Sequence, residues 1–309
     1  MAIMEINQPL VSVIMNCHNC SDFLQEAIKS VYSQTYKNWE IIFFDNASND
    51  ESSKIAHSYD KKLKYFYIDN KIPLGSARNN ALTKAKGDYI AFLDCDDAFL
   101  PNKLHDQVLI MQQYNSDLCY GSAYHIDQNS HIIRKKRVPN KKGKLLASLL
   151  ISYNINMQTV MIKRNVLDKF NLNFDQSLSF SPDYDLFMEI ALIGNTVSLK
   201  NYLSNYRLHT QSLTKKSQHL VCKEGLYTLD RLKKKYRDIY KKYSLIFKYA
   251  RSVFKIQEAV ACLQDNNSLQ AKRVLMEELP INYKTLILLL LLYLKISPRL
   301  ILLIIGRGK

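Results

Sequence analysis

The chain is predicted to be an α/β protein, a mostly parallel, doubly wound sheet with flanking helices and a helical region after it. Three features of its 309 residues point there. Short apolar runs rich in β-branched residues alternate with stretches of helical periodicity up to about residue 115, the order that βαβ units produce. The apolar runs end in polar clusters, and in doubly wound sheets ligands collect at the carboxyl ends of the strands. Beyond residue 215 the alternation gives way to helical segments and an apolar tail.

Leu10 to Met15 reads as the first strand, apolar enough to be buried on both faces. Ser21 is placed to cap the next helix, in which Phe23, Ala27, Ile28 and Val31 recur on one face. Glu40 to Phe44 is a second buried strand ending in Asp45-Asn46-Ala47-Ser48-Asn49-Asp50, ahead of a helix over about Glu51 to Tyr59. Leu63 to Ile68 is the third strand. Gly75 opens a helix carrying Ala77, Ala81, Leu82 and Ala85, and Gly87 sits where a C-cap glycine belongs. Tyr89 to Leu93 is the fourth strand, and Pro101 suits the first turn of the helix that follows.

From about Asp117 to Ile133 short strands are expected, then a basic loop of Arg134, Lys135, Lys136, Arg137, Lys141, Lys142 and Lys144. Asn156 to Lys163 reads as a strand, and Tyr184 to Ile193 as an amphipathic helix after Pro182-Asp183. Residues 216–284 read as helices with a second basic run of Arg231, Lys233, Lys234, Lys235, Arg237, Lys241 and Lys242. The tail, Thr285 to Ile305, is nearly all Leu and Ile but holds Lys295, Pro298 and Arg299 near its middle. Charges and a proline there disfavour a spanning helix. Two short helices lying in a membrane interface fit better, with a buried hairpin packed on protein as the alternative.

A formal net charge of +15 implies an acidic partner: nucleic acid, an anionic membrane or a phosphorylated substrate. No nucleic-acid-binding motif is present and aromatics do not interleave the basic runs, so no nucleic-acid partner is expected. Neither a Gly-x-Gly-x-x-Gly nor a P-loop run occurs, and with 8 glycines in the chain a phosphate must be met by a metal and cationic side chains. A nucleotidyltransferase would need a glycine- and lysine-rich signature near the first strand, and Val11 to Asn19 has none. Six cysteines are scattered; Cys17-His18-Asn19-Cys20 lacks a second pair, so zinc is not expected, and Cys95 reads as filler. Met1 to Pro9 has no signal-peptide pattern, so free thiols in a reducing cytoplasm are expected.

The densest chemistry is Asp94-Cys95-Asp96-Asp97, directly after the fourth strand. Carboxylates at the end of a buried strand are costly unless a cation or donors meet them. Hard divalent cations are held through such oxygens together with a substrate's phosphates. Asp94 and Asp96 therefore read as holders of a metal–nucleotide; an acidic turn capping the next helix is the alternative. Asn16 to Asn19 and Asp45-Asn46 fall on the same predicted sheet edge, which favours a site.

In order along the chain, these pieces resemble the family 2 glycosyltransferases, which have the GT-A fold. The resemblance is carried by Val11 to Met15 with Asn19, Ala27-Ile28-Lys29-Ser30-Val31 with Gln34-Thr35-Tyr36, and Glu40-Ile41-Ile42 to Asp45. It continues through Gly75-Ser76-Ala77-Arg78-Asn79, Gly87 to Asp97, Asp183-Tyr184-Asp185-Leu186 and Tyr206-Arg207-Leu208-His209. It implies a GT-A domain over 1–215, with a nucleotide-sugar half (1–125) and an acceptor half (126–215), and leaves 216–309, with the apolar tail at 285–305, as an added helical region.

The resemblance implies transfer of a sugar from a nucleotide-diphosphate donor, UDP foremost, to an acceptor hydroxyl with inversion. It implies that Asp45 contacts the base, Asn16 and His18 the nucleoside, Asp94 the ribose and Arg78 the phosphates. Asp96 becomes the ligand of Mn²⁺ or Mg²⁺, Asp183 the catalytic base, with Asp185 the weaker candidate for that role, and Arg207 and His209 parts of a motif closing over the diphosphate; Asp97 is structural. Asn16 and His18 stand where the family more often has Thr and Tyr, and Pro182-Asp183 where it commonly has Glu-Asp. With the basic runs and the tail, this points to a lipid-linked or oligosaccharide acceptor in surface-polysaccharide assembly. It also points to an anionic membrane surface, with the protein cytoplasmic and peripheral at the inner face of the cell membrane. An inactive, membrane-tethered sugar-nucleotide binder and a nucleic-acid-binding protein are the alternatives.

Overall fold

A computed structural model describes residues 8–209, 220–277, 283–294 and 296–305. They fall into two compact units, drawn from Met1–Leu146 with Asn154–Ser212 and from Ala147–Tyr153 with Leu213–Lys309. The boundary expected at 215 lies outside the described residues, as does Lys295.

The first unit is built on one ten-stranded sheet. Strands β1 (Val11–Cys17), β2 (Trp39–Asn46), β3 (Leu63–Ile68) and β4 (Tyr89–Phe92) pair in parallel in the order β3-β2-β1-β4. Helices α1 (Ser21–Tyr32), α2 (Ser52–His57) and α3 (Leu74–Lys84) connect them. Strands β1, β2 and β4 are buried along nearly their whole length, which is why they read as unbroken apolar runs. The strand order reverses at β1, with β2 on one side and β4 on the other, so the carboxyl ends of β1 and β4 meet at a topological switch point.

The remainder of the sheet is mixed. After β5 (Ala98–Phe99) and α4 (Lys103–Tyr114) come β6 (Leu118–Ile126), β7 (Ile132–Lys136), β8 (Lys141–Gly143), α5 (Leu146–Ile151, which from Ala147 on belongs to the second unit), β9 (Met161–Lys163), α6 (Arg164–Phe170), α7 (Pro182–Ile193) and β10 (Thr196–Arg207). The short β9 lies antiparallel between β4 and β6, while β10 runs parallel to β6 and carries β5 and β8 on its other side.

Several local expectations are corrected. Ser21 does not cap α1; the N-cap position is Cys20, and Asp50 Oδ2 accepts from the Ser21 amide at 2.9 Å. The core face of α1 is Leu24, Ala27, Ile28 and Val31, one residue round from Phe23. Gly87 is no left-handed cap: a Cβ there would lie 2.5 Å from the Ser12 amide nitrogen, so it is the close approach to β1 that demands glycine. Pro101 precedes the N-cap, Asn102, rather than opening α4. Part of the basic loop is in fact β7 and β8. Asn156 to Lys163 splits into a 3₁₀ turn, Met157–Thr159, and β9. Helix α7 is not amphipathic; from Tyr184 to Leu192 every residue is buried, and only Asp183 near its start and Ile193 at its end are partly exposed.

Lys103 is 1% exposed and donates to Gln107 Oε1 at 2.6 Å, with its Nζ 4.2 Å from the Phe99 ring centre and no carboxylate among its hydrogen-bond partners. Burial lowers its pKa to about 7. The unfolded chain therefore holds a proton that the folded chain lacks between about pH 7 and the free-lysine value near 10.4. This term is present in full above the unfolded value and is lost as pH falls through about 7. Denaturant unfolding at pH 7 and 9 is expected to show Lys103→Met gaining less, relative to the parent, at the higher pH.

The second unit is helical: α8 (Val221–Lys235), α9 (Arg237–Lys242), α10 (Ser244–Gln264), α11 (Ser268–Met276), α12 (Tyr283–Tyr293) and α13 (Pro298–Ile304). Ala259, Leu263, Ala271, Val274, Leu275, Leu288, Leu292, Ile301 and Leu302 form its core. The tail thus consists of two short helices, each leaning one face on α10 and α11. Their other faces expose Leu286, Ile287, Leu290, Leu300, Leu303 and Ile304. At about 1.5 Å per residue, eleven residues of α12 reach only about 16 Å, half of a ~30 Å hydrocarbon core. Among the described residues no helix is long and apolar enough to cross a membrane.

Candidate active site

The site is assembled at the carboxyl edge of β1, β2 and β4. The Asp94 to Asp97 turn follows β4 and closes with the Asp97 amide donating to the Asp94 carbonyl at 3.1 Å. Asp97 is the inner, structural member: it is 1% exposed, and its Oδ1 accepts from the Arg207 amide and its Oδ2 from Gln158 Nε2, both at 2.7 Å. Burial, with the charges of Asp96 and Asp94 behind it, pushes its carboxyl well above the usual range.

Asp94 and Asp96 remain partly exposed. Arg78, buried on α3 with its guanidinium 5.5 Å from the Phe174 ring, reaches Asp94 Oδ1 at 3.4 Å. His209 Nε2 lies 2.8 Å from Asp96 Oδ2, and the His209 ring sits 5.6 Å from that of Phe23. Asp183, in the first turn of α7, completes the group: burial raises the Asp94 pKa, Arg78 opposes that, and the charges of Asp96 and Asp183 add to it. Carboxylates 89 positions apart in sequence (183 minus 94) therefore share one electrostatic neighbourhood. Asp183 is half-buried whereas Asp185 is 2% exposed, so Asp183 has the solvent-facing carboxyl of the two.

On the other flank, Asn16 Nδ2, at the carboxyl end of β1, is buried with no hydrogen-bond partner, a donor left unsatisfied by protein. His18 Nδ1 lies 2.8 Å from the Asn46 carbonyl oxygen, which leaves Nε2 and the ring face. Asp45 is fully buried; its Oδ1 accepts from the Ser48 amide at 2.9 Å and its Oδ2 from the Tyr65 hydroxyl at 2.7 Å. It braces the turn that passes through Ala47, whose φ is +61°.

Arg207 departs most from expectation. It is 1% exposed and cannot close over a diphosphate, because its donors are spent inside the fold. Nε donates to the Asp96 carbonyl at 2.8 Å, and Nη1 to the Asp127 and Gln128 carbonyls at 3.1 and 3.3 Å and to Ser130 Oγ at 3.0 Å. Nη2 meets Glu26 Oε2 at 2.7 Å, and the guanidinium lies 4.5 Å from the Phe23 ring centre. It latches the Asp94–Asp97 turn to the β6–β7 turn and to α1. Sequence reasoning missed Phe23, Phe174, Glu26 and Gln158 as members of this neighbourhood. Phe23 carried one usable signal, since the buried stripe of α1 is complete without it.

A mixed α/β sheet whose carboxyl edge gathers acidic side chains, a buried arginine and an unsatisfied amide agrees with the GT-A fold that the sequence resemblance implies. Comparison with known proteins agrees. The model of "Glycosyl transferase family 2" matches residues 12–170. An uncharacterized glycosyltransferase of Rickettsia typhi is 35% identical over 212 residues, covering 67% of this chain and 66% of that protein. An uncharacterized glycosyltransferase of Methanocaldococcus jannaschii is 32% identical over 214 residues, 66% of this chain and 72% of that one. WfgD of Escherichia coli, a UDP-Glc:alpha-D-GlcNAc-diphosphoundecaprenol beta-1,3-glucosyltransferase, is 34% identical over 209 residues, 66% of this chain and 79% of WfgD. Among solved structures, S. aureus TarS 1-349 in complex with UDP-GlcNAc superposes with a TM-score of 0.60 at 17% identity, covering 86% of this chain and 83% of that one, a likeness of fold. The chain belongs to glycosyl transferase family 2. These three relatives share with it about two thirds of their own length or somewhat more.

Proposed function

We propose that the protein transfers a sugar from a UDP-sugar to a hydroxyl of a lipid-linked glycan, with inversion, at a membrane surface. The observation that carries this reading is that the charges of both Asp96 and Asp183 act on Asp94, at the carboxyl edge of the sheet. The family supports a sugar transfer, and the activity of WfgD supports a diphospholipid-linked acceptor.

The chain's own residues have separable tasks. The unsatisfied Asn16 amide and the His18 ring receive the nucleoside, with Asp45 bracing the turn beside the base, and Asp94 meets the ribose. Arg78, held against Phe174 and Asp94, supplies positive charge toward the phosphates. Asp183 takes the proton from the acceptor hydroxyl as its oxygen bonds to the anomeric carbon and the bond to the diphosphate breaks. His209 holds one oxygen of Asp96, which leaves the other facing the edge.

The donor set fits a hard divalent cation. Two partly exposed carboxylates, Asp94 and Asp96, stand at one edge with Arg78 as the near cation, so negative charge is in surplus. Asp96 would hold Mn²⁺ or Mg²⁺ together with diphosphate oxygens. Bound there, the ion supplies Lewis-acid stabilisation of the departing diphosphate.

Membrane contact is supported by the exposed apolar faces of α12 and α13 and by the exposed Lys233, Lys234, Lys235, Arg237, Lys241 and Lys242, since charge and apolar insertion act together in peripheral binding. The reading is tested with a polyprenyl-diphosphate-linked sugar as acceptor and product configuration assigned by NMR. Transfer with inversion is expected. Donor hydrolysis without transfer to any lipid-linked acceptor overturns the acceptor assignment, and retention overturns the role of Asp183. Deleting 285–309 is expected to release the protein from vesicles containing anionic lipid.

A further inference from the structure

Two thiols three residues apart, Cys17 and Cys20, meet a third from far along the chain, Cys95, beside the edge just described. Strands β1 and β4 are in register with Ile14 opposite Phe92, and three further residues along each chain bring Cys17 opposite Cys95. Period-two alternation places both on one face: Val11, Val13, Met15 and Cys17 share a core cluster with Tyr89, Ala91, Leu93 and Cys95. Asn19, with φ at +57°, turns the chain back so that Cys20 takes the N-cap of α1 above that face. The three Sγ atoms lie within 4.8 Å of one another. Cys17 and Cys95 are buried, and Cys20 is half-buried and open to approach.

No disulfide joins the cysteines, and these hydrogen bonds of theirs are weak ones: Cys95 Sγ to the Asn16 carbonyl at 3.4 Å, Cys20 Sγ to the His18 carbonyl at 3.5 Å and Cys17 Sγ to Ser48 Oγ at 3.7 Å. Such contacts are cheap to exchange for metal–sulfur bonds. A tetrahedral zinc site with bonds of about 2.3 Å needs sulfurs about 3.8 Å apart, so the cluster has to close by no more than about 1 Å.

We propose that Cys17, Cys20 and Cys95 bind one thiophilic divalent cation, of the Zn²⁺ or Cd²⁺ class, as a three-thiolate site distinct from the carboxylate edge. Three S–H protons leave to solvent, three metal–sulfur bonds form, and water takes the fourth position. The complex carries a net charge of −1, which the N-terminus of the twelve-residue α1 favours. Because Cys95 lies between Asp94 and Asp96 in the chain, occupancy ties down the turn that carries both. The site stands independently of the transfer reaction proposed above.

The test is a Cd²⁺ titration of the reduced, chelator-stripped full chain, followed by its sulfur-to-cadmium charge-transfer absorbance, with Zn²⁺ as competitor. One ion per chain is expected, with about three protons released and three thiols protected from alkylation. Cys17→Ser, Cys20→Ser and Cys95→Ser should each weaken binding at least tenfold, while Cys222→Ser and Cys262→Ser leave it unchanged. Asp96→Asn should retain the cadmium band, which separates this site from the carboxylates. Cys20→Ser is the decisive variant, because that side chain is half-buried and its melting temperature reports folding directly. Absence of stoichiometric binding, a band that survives Cys20→Ser, or two thiols lost to a disulfide before any metal binds would each overturn the proposal.

Discussion

Asp183→Asn is expected to cut transfer by a factor of roughly 10²–10⁴ while donor affinity stays within about twofold. The amide keeps the shape and the place in the first turn of α7 but has no lone pair basic enough to accept the acceptor proton. It also removes one of the negative charges acting on Asp94, so donor binding should not weaken. Asp185→Asn serves as the contrast: that residue is buried in α7, and its loss should register in melting temperature more than in the acceptor-dependent step. Calorimetry with a UDP-sugar beside steady-state transfer separates the outcomes. Turnover at the parent rate in Asp183→Asn would remove the base from this position.

Arg207→Met is expected to destabilise the first unit by about 3–5 kcal/mol, roughly 1 kcal/mol for each hydrogen bond lost from a guanidinium that is itself buried, the pair with the exposed Glu26 adding little. The methionine fills much of the volume but leaves the Asp96, Asp127 and Gln128 carbonyls without their donors. It also frees Glu26 and loosens the turn that holds Asp94 and Asp96. A melting temperature roughly 10 °C lower is the readout for a chain of this size. Arg207→Lys should recover little, since one ammonium cannot span acceptors on three segments. Parent-like melting of Arg207→Met would mean the latch carries no stability.

These two residues also mark how far the sequence could be read. Strands β1, β2 and β4 were legible because burial on both faces leaves an apolar run with a polar stop at its end. The edge on which Asn16, Asp45 and Asp94 fall follows from that pattern alone. Asp183 was not legible in that way: nothing in Pro182-Asp183 says it returns to Asp94, and only the resemblance pointed there. Strand β10 escaped because Lys200, Asn201, Ser204 and Asn205 interrupt its apolar periodicity. Arg207 was read as a residue facing ligand because its partners are mostly main-chain carbonyls, which a sequence does not display. Gly87 was read as a cap when the cause is a neighbouring strand 75 residues earlier (87 minus 12). The thiol cluster stayed hidden for the same reason: Cys17-x-x-Cys20 lacks a second pair in sequence and acquires its third sulfur through strand register.

The central claim is that the edge formed by Asp94, Asp96 and Asp183 turns over a nucleotide sugar with the help of a divalent cation. Nucleoside-diphosphate release, followed across a panel of nucleotide sugars with Mn²⁺ and again with EDTA, tests it most directly. The account predicts release from at least one UDP-sugar, abolished by EDTA and by Asp96→Asn. Release indifferent to EDTA, or no release from any nucleotide sugar, would contradict it.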